Sequence, residues 1–216
     1  MYYKVLLSMD KNTSPQETLA EIRQLMERSS RFISLSGLSG VFAGVYALVG
    51  AYVAYSYLNL TDWGYFAGEA LINSRTSVIT FIVFDALAIL VLAIGTGIFL
   101  TTRKAKKDGN SIFDATAKKL IVNLCIPLIT GGLFCLALIY NGSLIYVPAV
   151  MLIFYGMALV QASHFTRHDI RNLGFLEIVL GLLASFIVGF GFVFWCVGFG
   201  VLHILYGTYM YFKYEK

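Results

Sequence analysis

Six long apolar segments constrain this chain more than any other feature of its sequence. They run over 33–58, 77–101, 120–140, 144–163, 173–189 and 192–212. At about 1.5 Å per residue, such segments are long enough to cross a hydrocarbon core of about 30 Å. A helix pairs its backbone groups within one segment, and the runs lack the alternating pattern of barrel strands. The sequence therefore predicts an all-α integral membrane protein, a bundle of six transmembrane helices over 33–212.

The composition agrees with a chain surrounded mainly by lipid. Charged residues make up 13 % of the chain, against about 25 % in soluble domains. No Walker loop, dinucleotide-binding glycine pattern, H-E-x-x-H or G-x-S-x-G motif is present, and no soluble segment is long enough to bind a nucleotide. We therefore predict no cofactor, no metal ligands, no catalytic residues and no nucleic-acid partner.

The basic residues support the six-span count independently of hydropathy. In a six-span arrangement all but one of them fall on the same side of the membrane, and Arg75 is the exception. The residues on the shared side are Lys4, Lys11, Arg23, Arg28, Arg31, Arg103, Lys104, Lys106, Lys107, Lys118, Lys119, Arg167, Arg171, Lys213 and Lys216. The positive-inside rule then places both termini in the cytoplasm. Five or seven spans would destroy this separation.

The segment 1–32 carries the pattern of an amphipathic helix ahead of the first span. Ser14 suits the N-cap, Pro15 suits the first helical position, and Glu17 completes a capping box. We interpret it as a helix lying on the cytoplasmic membrane surface against lipids; a protein partner is the alternative. Residues 213–216 form a short cytoplasmic tail.

Glu177 interrupts an apolar run, and its position suggests a partner. Spans five and six form a hairpin whose turn centres near residue 190, and residues equally distant from a turn share a depth. Glu177 lies 13 residues before residue 190 and His203 lies 13 after it. Both therefore lie about 20 Å below the turn, in the cytoplasmic half. A charge there needs a partner, water or a proton, so we predict a Glu177–His203 pair if the two helix faces meet.

The same counting suggests a wider polar cluster in the cytoplasmic half. Asn123 lies 19 residues before the turn at 142 and Gln161 lies 19 after it. Ser39 and Tyr206 fall near this zone and complete the predicted cluster. Interhelical hydrogen bonding that only holds the bundle together is one interpretation, at about 0.6 kcal/mol per bond. A water-accessible cavity with a titrating acid–histidine pair is the other.

Asp85 is a secondary candidate, in the outer half of the second span. No lysine or arginine lies within any span to pair with it. We expect it to be protonated or hydrogen-bonded to a tyrosine such as Tyr46, Tyr52 or Tyr146. The structural and the functional interpretations are both open for this residue.

Three stretches carry a resemblance to a known family: "RFISLSGLSGVFAGVYALVGAY", "EIVLGLL" and "FGVLHILYG". They resemble those of an uncharacterised family of small bacterial inner-membrane proteins, and the likeness covers most of the chain. The resemblance implies a bacterial inner membrane and supplies no activity and no site residues.

Three functional hypotheses follow from these observations. The first is a small transporter or channel-like protein that uses the cytoplasm-side polar cluster. The second is a non-catalytic scaffold or regulatory subunit of a larger membrane complex. The third is an intramembrane enzyme acting on a lipid-like substrate. Small-residue stripes, such as Gly37, Gly44 and Ala51 in the first span, predict close helix contacts, either within one subunit or between copies in a homo-oligomer.

Overall fold

The computed structural model of the protein describes residues 36–57, 75–107 and 115–216. This part of the chain is helical and contains no strand. Its helices are α1 (Gly37–Tyr57), α2 (Arg75–Lys107), α3 (Ala115–Tyr140), α4 (Leu144–Ser163), α5 (Asp169–Phe186) and α6 (Gly191–Tyr214). The all-α prediction is thus confirmed for the described residues. The predicted amphipathic helix within 1–32 lies outside them.

Among the described residues, five helices are long and apolar enough to cross a membrane: α1, α2, α3, α4 and α6. The predicted span at 173–189 corresponds to α5, which has 18 residues. It carries three charged residues, Asp169, Arg171 and Glu177, so composition alone does not mark it as a span. The structure therefore supports a membrane protein with at least five candidate spans in this part of the chain.

Several helices extend past the apolar segments that predicted them. α2 continues to Lys107 and α3 begins at Ala115, beyond the expected limits of 101 and 120. Alanine and lysine are good helix formers, so a helix continues where the apolar run stops. The two short turns agree with prediction: Gly142 has φ 77° and Gly189 has φ 100°, a backbone conformation that glycine adopts without penalty.

Most helices that follow one another in the chain also pack against one another. α2 packs on α1, α1 packs on α6, α6 contacts α4 and α5, and α4 packs on both α5 and α3. α2 and α3 therefore lie at the two margins. Their outward faces expose large apolar side chains such as Phe84 (68 %) and Leu133 (62 %), as expected for surfaces that face lipid.

Glycines bring the helix backbones into direct contact. A Cβ on Gly37 would lie 2.6 Å from the carbonyl oxygen of Gly207, and one on Gly44 would lie 2.6 Å from that of Gly200. The predicted small-residue stripe of the first span thus packs against glycines of α6 within one chain. A similar contact joins α4 to α5, where a Cβ on Gly156 would lie 2.5 Å from the carbonyl oxygen of Gly174.

Polar contacts gather where α1 and α5 begin and α2 and α6 end, which we call the basic end. Lys104 of α2 pairs with Glu215 at 3.1 Å, and Lys213 of α6 pairs with Asp169 of α5 at 3.1 Å. A small apolar cluster joins the start of α3 to the end of α4 nearby, through Leu120 and Ala162. Consecutive helices therefore run in alternating directions between this end and the opposite one.

Candidate functional site

Glu177 is the most completely buried charged residue of the described chain. It lies in the middle of α5 with 0 % of its surface exposed. Leu152 of α4 and Gly198 of α6 both lie against it: a Cβ on Gly198 would fall 2.5 Å from Oε2 of Glu177 and 2.4 Å from Cδ2 of Leu152. Neither carboxylate oxygen forms a hydrogen bond with a described residue. A buried polar group without such a bond is costly, so this side chain needs an explanation.

His203 is the closest ionisable partner of this carboxylate. Its Nδ1 lies 3.4 Å from Oε1 of Glu177, and its residue is 5 % exposed. Nδ1 also lies 2.9 Å from the carbonyl oxygen of Gly198. A carbonyl oxygen only accepts hydrogen bonds, so Nδ1 carries a proton in this arrangement. That proton is donated to the Gly198 carbonyl, and the Glu177 carboxylate lies close to the same nitrogen without forming a hydrogen bond.

Tyr155 of α4 completes the contacts of the imidazole. Its hydroxyl lies 2.7 Å from Nε2 of His203. When the imidazole is neutral, Nε2 is the acceptor and the Tyr155 hydroxyl donates to it. When the imidazole is protonated, Nε2–H donates to the Tyr155 oxygen. The geometry accommodates both states of the ring, because a hydroxyl can play either role.

A π-helical segment over Cys196–Leu202 shapes this part of α6. α-helical stretches, Gly191–Trp195 and His203–Tyr214, precede and follow it. The wider turn places the Gly198 carbonyl within reach of the His203 ring, five residues further along the chain. Single π turns inside α-helices occur frequently at functional sites.

Aromatic rings continue from His203 toward the opposite end of the bundle. Phe199 stacks on the imidazole with ring centres 5.9 Å apart, and Tyr155 lies 4.9 Å from Phe199. The ring centre of Trp195 lies 5.2 Å from that of Phe199. Trp195, Phe199 and His203 thus follow one another at four-residue spacing along one face of α6. We call Trp195, Phe199 and Tyr155 the aromatic patch.

The charge of the site is set by Glu177 and His203 alone. The sequence contains no lysine or arginine over 120–166 or 172–212, the stretches that surround the pair. With a neutral imidazole and an ionised carboxylate, the site carries one negative charge. One added proton makes it neutral, either as the acid beside a neutral imidazole or as the ion pair. The arrangement is therefore a one-proton site whose charge changes inside an apolar bundle.

The other residues of the predicted polar cluster form none of the hydrogen bonds or ion pairs of this site. Asn123 donates to the Lys119 carbonyl of its own helix at 2.8 Å, and Gln161 is exposed. Ser39 donates to the Ser36 carbonyl at 2.6 Å. Tyr206 is half-buried and, like the previous three, forms none of the site's hydrogen bonds. The structure therefore brings together Glu177 and His203, and not the rest of the cluster.

Asp85 lies on the face of α2 that meets α1. A Cβ on Gly50 would fall 3.3 Å from its Oδ1. Of the tyrosines expected near it, Tyr46 accepts a hydrogen bond from Thr96 at 3.3 Å and Tyr52 is 71 % exposed. No hydrogen bond joins its carboxylate to any residue within the described ranges. Asp85 thus forms a second acidic position, on a pair of helices that carries neither Glu177 nor His203.

Tyr155 and Gly198 are the site residues that the sequence interpretation missed. Tyr155 lies 13 residues after the turn at 142, the same distance that separates Glu177 and His203 from residue 190. Extending that counting to the neighbouring hairpin identifies it. The role of Gly198 has no comparable sequence signal, because it depends on the π-helical turn.

Comparison with known proteins gives no further assignment. No family model, no curated protein and no solved structure matches this chain.

Proposed function

We propose that this chain is a small proton-coupled transporter of the bacterial inner membrane, in which Glu177 and His203 bind one proton. The observation that carries the proposal is the wholly buried Glu177 carboxylate, whose oxygens form no hydrogen bond within the described chain. A group that served only to join helices gains most when its oxygens are paired. Intramembrane acids in contact with a histidine are typical of proton-binding sites in pumps and transporters.

The change in charge at the Glu177–His203 site couples proton binding to a change of conformation. With the proton bound, the site is neutral, and it is stable in the closed bundle where Glu177 has no exposed surface. Without the proton, one negative charge lies in an apolar interior, which is strongly unfavourable. The deprotonated protein therefore favours a conformation that admits water or a substrate cation to the carboxylate. Proton binding and release then select between a closed and an open state.

Six crossings with both termini in the cytoplasm complete the proposal. What supports the sixth crossing is the course of α5, which begins beside Lys213 at the basic end and ends before the turn at Gly189. The concentration of lysine and arginine at the basic end supports a cytoplasmic location for that end. The resemblance to small bacterial inner-membrane proteins supports the choice of membrane.

Proteoliposomes containing a trapped pH-sensitive dye test this function. Amines, amino acids, sugars and inorganic salts are added outside in turn, and proton movement is recorded for each class. We expect one of these solute classes to drive proton movement across the membrane. Glu177→Gln should abolish that movement, because an amide does not bind a proton as a carboxylate does. Glu215→Gln is the matched control, since it makes the same chemical change at the basic end.

The result separates the transporter from a membrane scaffold. The transporter proposal is wrong if no solute class drives proton movement. It is also wrong if the Glu177→Gln protein moves protons at the same rate as the unaltered protein. A scaffold is the second candidate, and the observation in its favour is the close, buried contact between Glu177 and His203. If the protein is a scaffold, a partner membrane protein should co-purify with it, and Glu177→Gln should leave that association unchanged.

A further inference from the structure

The deprotonated site carries a single negative charge, and no lysine or arginine lies in the surrounding stretches 120–166 and 172–212 to balance it. The titratable side chains near the Glu177 carboxylate within the described chain are His203 of α6 and Tyr155 of α4. α1 packs behind α6 at this level with glycines, where a Cβ on Gly40 would lie 3.5 Å from the His203 carbonyl oxygen. Any ligand that replaces the proton must therefore bring one positive charge.

We infer that Glu177 and the aromatic patch bind a small organic monocation, such as a substituted ammonium group, in exchange for the proton. This inference rests on the proposed function and names its substrate class. One proton leaves the site as one monocation enters, so that the charge at Glu177 stays balanced throughout the exchange. The same carboxylate therefore serves both ligands in turn.

The donor atoms favour an organic cation over a metal ion. Calcium takes six to eight oxygen ligands and magnesium takes six. This site offers the two Glu177 oxygens, while the Tyr155 hydroxyl and the Gly198 carbonyl are each hydrogen-bonded to His203. The rest of its lining is apolar or aromatic, including Leu152 and Phe199. Weakly hydrated cations bind well to such rings through the negative potential of the ring faces.

The aromatic patch also marks the route by which the cation arrives. Trp195, Phe199 and His203 lie at four-residue spacing on one face of α6, with Trp195 nearest the turn at Gly189. Tyr155 flanks Phe199 and His203 from α4. A cation that enters from the opposite end passes from ring to ring along the α4–α6 contact. It reaches Glu177 after that contact opens, because the carboxylate is wholly buried in the present conformation.

Trp195 offers a direct optical measurement of binding. The chain contains two tryptophans, so Trp63→Phe leaves Trp195 as the sole one. In nanodiscs at constant ionic strength, we expect tetramethylammonium to change the Trp195 fluorescence saturably. On the acidic side of the titration of the site, each unit fall in pH should weaken the apparent affinity tenfold, because proton and cation compete. Glu177→Gln should abolish the saturable change.

Matched ring substitutions test the role of the aromatic patch. Phe199→Leu removes the ring beside His203 and should weaken tetramethylammonium binding by about tenfold. Phe212→Leu makes the same change at an exposed position near the basic end of α6 and should leave the affinity unchanged. Equal effects of the two substitutions would contradict a binding role for the patch.

The failure of this inference is distinguishable from failure of the proposed function. Infrared difference spectra between acidic and alkaline buffer report a carboxylic acid band that Glu177→Gln removes. If that band is present and tetramethylammonium gives no saturable change, the substrate class is wrong and the proton site stands. If sodium binds as tightly as tetramethylammonium, or if binding survives Glu177→Gln, the cation inference is also overturned. If the acidic spectrum shows neither this band nor an imidazolium band from the ion-paired form, the proton site itself is refuted.

Discussion

The carboxylate of Glu215 accepts a hydrogen bond from the backbone N–H of Gly37, so the last turn of the described chain caps the first described helix. The same carboxylate accepts from the Ser36 hydroxyl at 3.3 Å and pairs with Lys104 at 3.1 Å. Free N–H groups at a helix N-terminus are satisfied by such an acceptor, and the helix dipole favours its negative charge. One side chain therefore joins α1, α2 and α6 at the basic end.

We expect Glu215→Ala to lower the free energy of unfolding by about 1 kcal/mol, since it removes a helix cap. Unfolding in bicelles measures the loss, and faster hydrogen exchange at the first amides of α1 locates it. Lys216→Ala alters the neighbouring residue without touching the cap and should have little effect. A uniform rise in exchange along the whole of α1 would contradict a local capping role.

Asp169 makes the stability of the basic end sensitive to acid. Burial raises the pKa of its carboxyl, but hydrogen bonds from Tyr214 and Lys213 and the charges of Lys213 and Arg167 outweigh this and leave the pKa below its usual value. A lowered pKa stabilises the folded protein above the pKa of the unfolded chain, about 3.9. That stabilisation is lost as the pH falls through the lower pKa of the folded state.

Asp169→Asn should therefore reduce stability at neutral pH and make it less dependent on pH in the acidic range. Unfolding of both proteins across that range measures the difference. Tyr214→Phe removes the 2.6 Å hydrogen bond to Asp169 and should give an intermediate result. If the acid dependence were identical in all three proteins, another carboxylate would be responsible for it.

Gly198→Ala should destabilise the protein, because the added methyl would overlap Oε2 of Glu177 and Cδ2 of Leu152. Overpacking of this kind costs about 1–3 kcal/mol. Gly132→Ala is the opposite case: the Gly132 Cβ position has nothing within 4 Å, and alanine is the better helix former by up to about 1 kcal/mol. Thermal unfolding should move in opposite directions for the two substitutions, and a shift in the same direction would contradict the packing at Gly198.

Tyr155→Phe should leave Nε2 of His203 without its hydrogen-bond partner. An unsatisfied buried acceptor costs about 1–3 kcal/mol. The nitrogen NMR signals of labelled His203 should change as well, because the hydroxyl that contacts Nε2 is gone. Tyr206→Phe, which removes a hydroxyl three residues beyond His203 on α6, is the control and should leave those signals in place.

The sequence predicts the depth of a residue in the membrane better than it predicts the direction in which its side chain points. Distances from the turns place Glu177 and His203 at one level, and the structure brings them within 3.4 Å. The same counting placed Asn123 level with Gln161, yet Asn123 bonds to its own helix and Gln161 is exposed. Depth depends only on rise per residue, whereas the direction of a side chain depends on how each helix is rotated against its neighbours.

The helix contacts explain which parts of the site could not be predicted. The glycines of α1 and α6 indicated close packing, but the sequence did not say that α1 packs on α6 rather than on another copy of the chain. The π-helical segment has no recognisable pattern in residues 196–202. α5 resembles a span less than the others because Asp169, Arg171 and Glu177 lower its hydropathy.

The π-helical segment of α6 also holds one residue more than an α-helix of the same length would. If the position of this extra residue shifted along the helix, each residue that it passed would rotate by about 100° about the axis of α6. The same residues would also move along that axis by about the rise of one residue. Gly198 and Phe199 would then turn away from Glu177 and Tyr155, while the backbone on either side remained hydrogen-bonded. A closed acid site could open in this way by a change of register within one helix, with no loop or domain hinge involved.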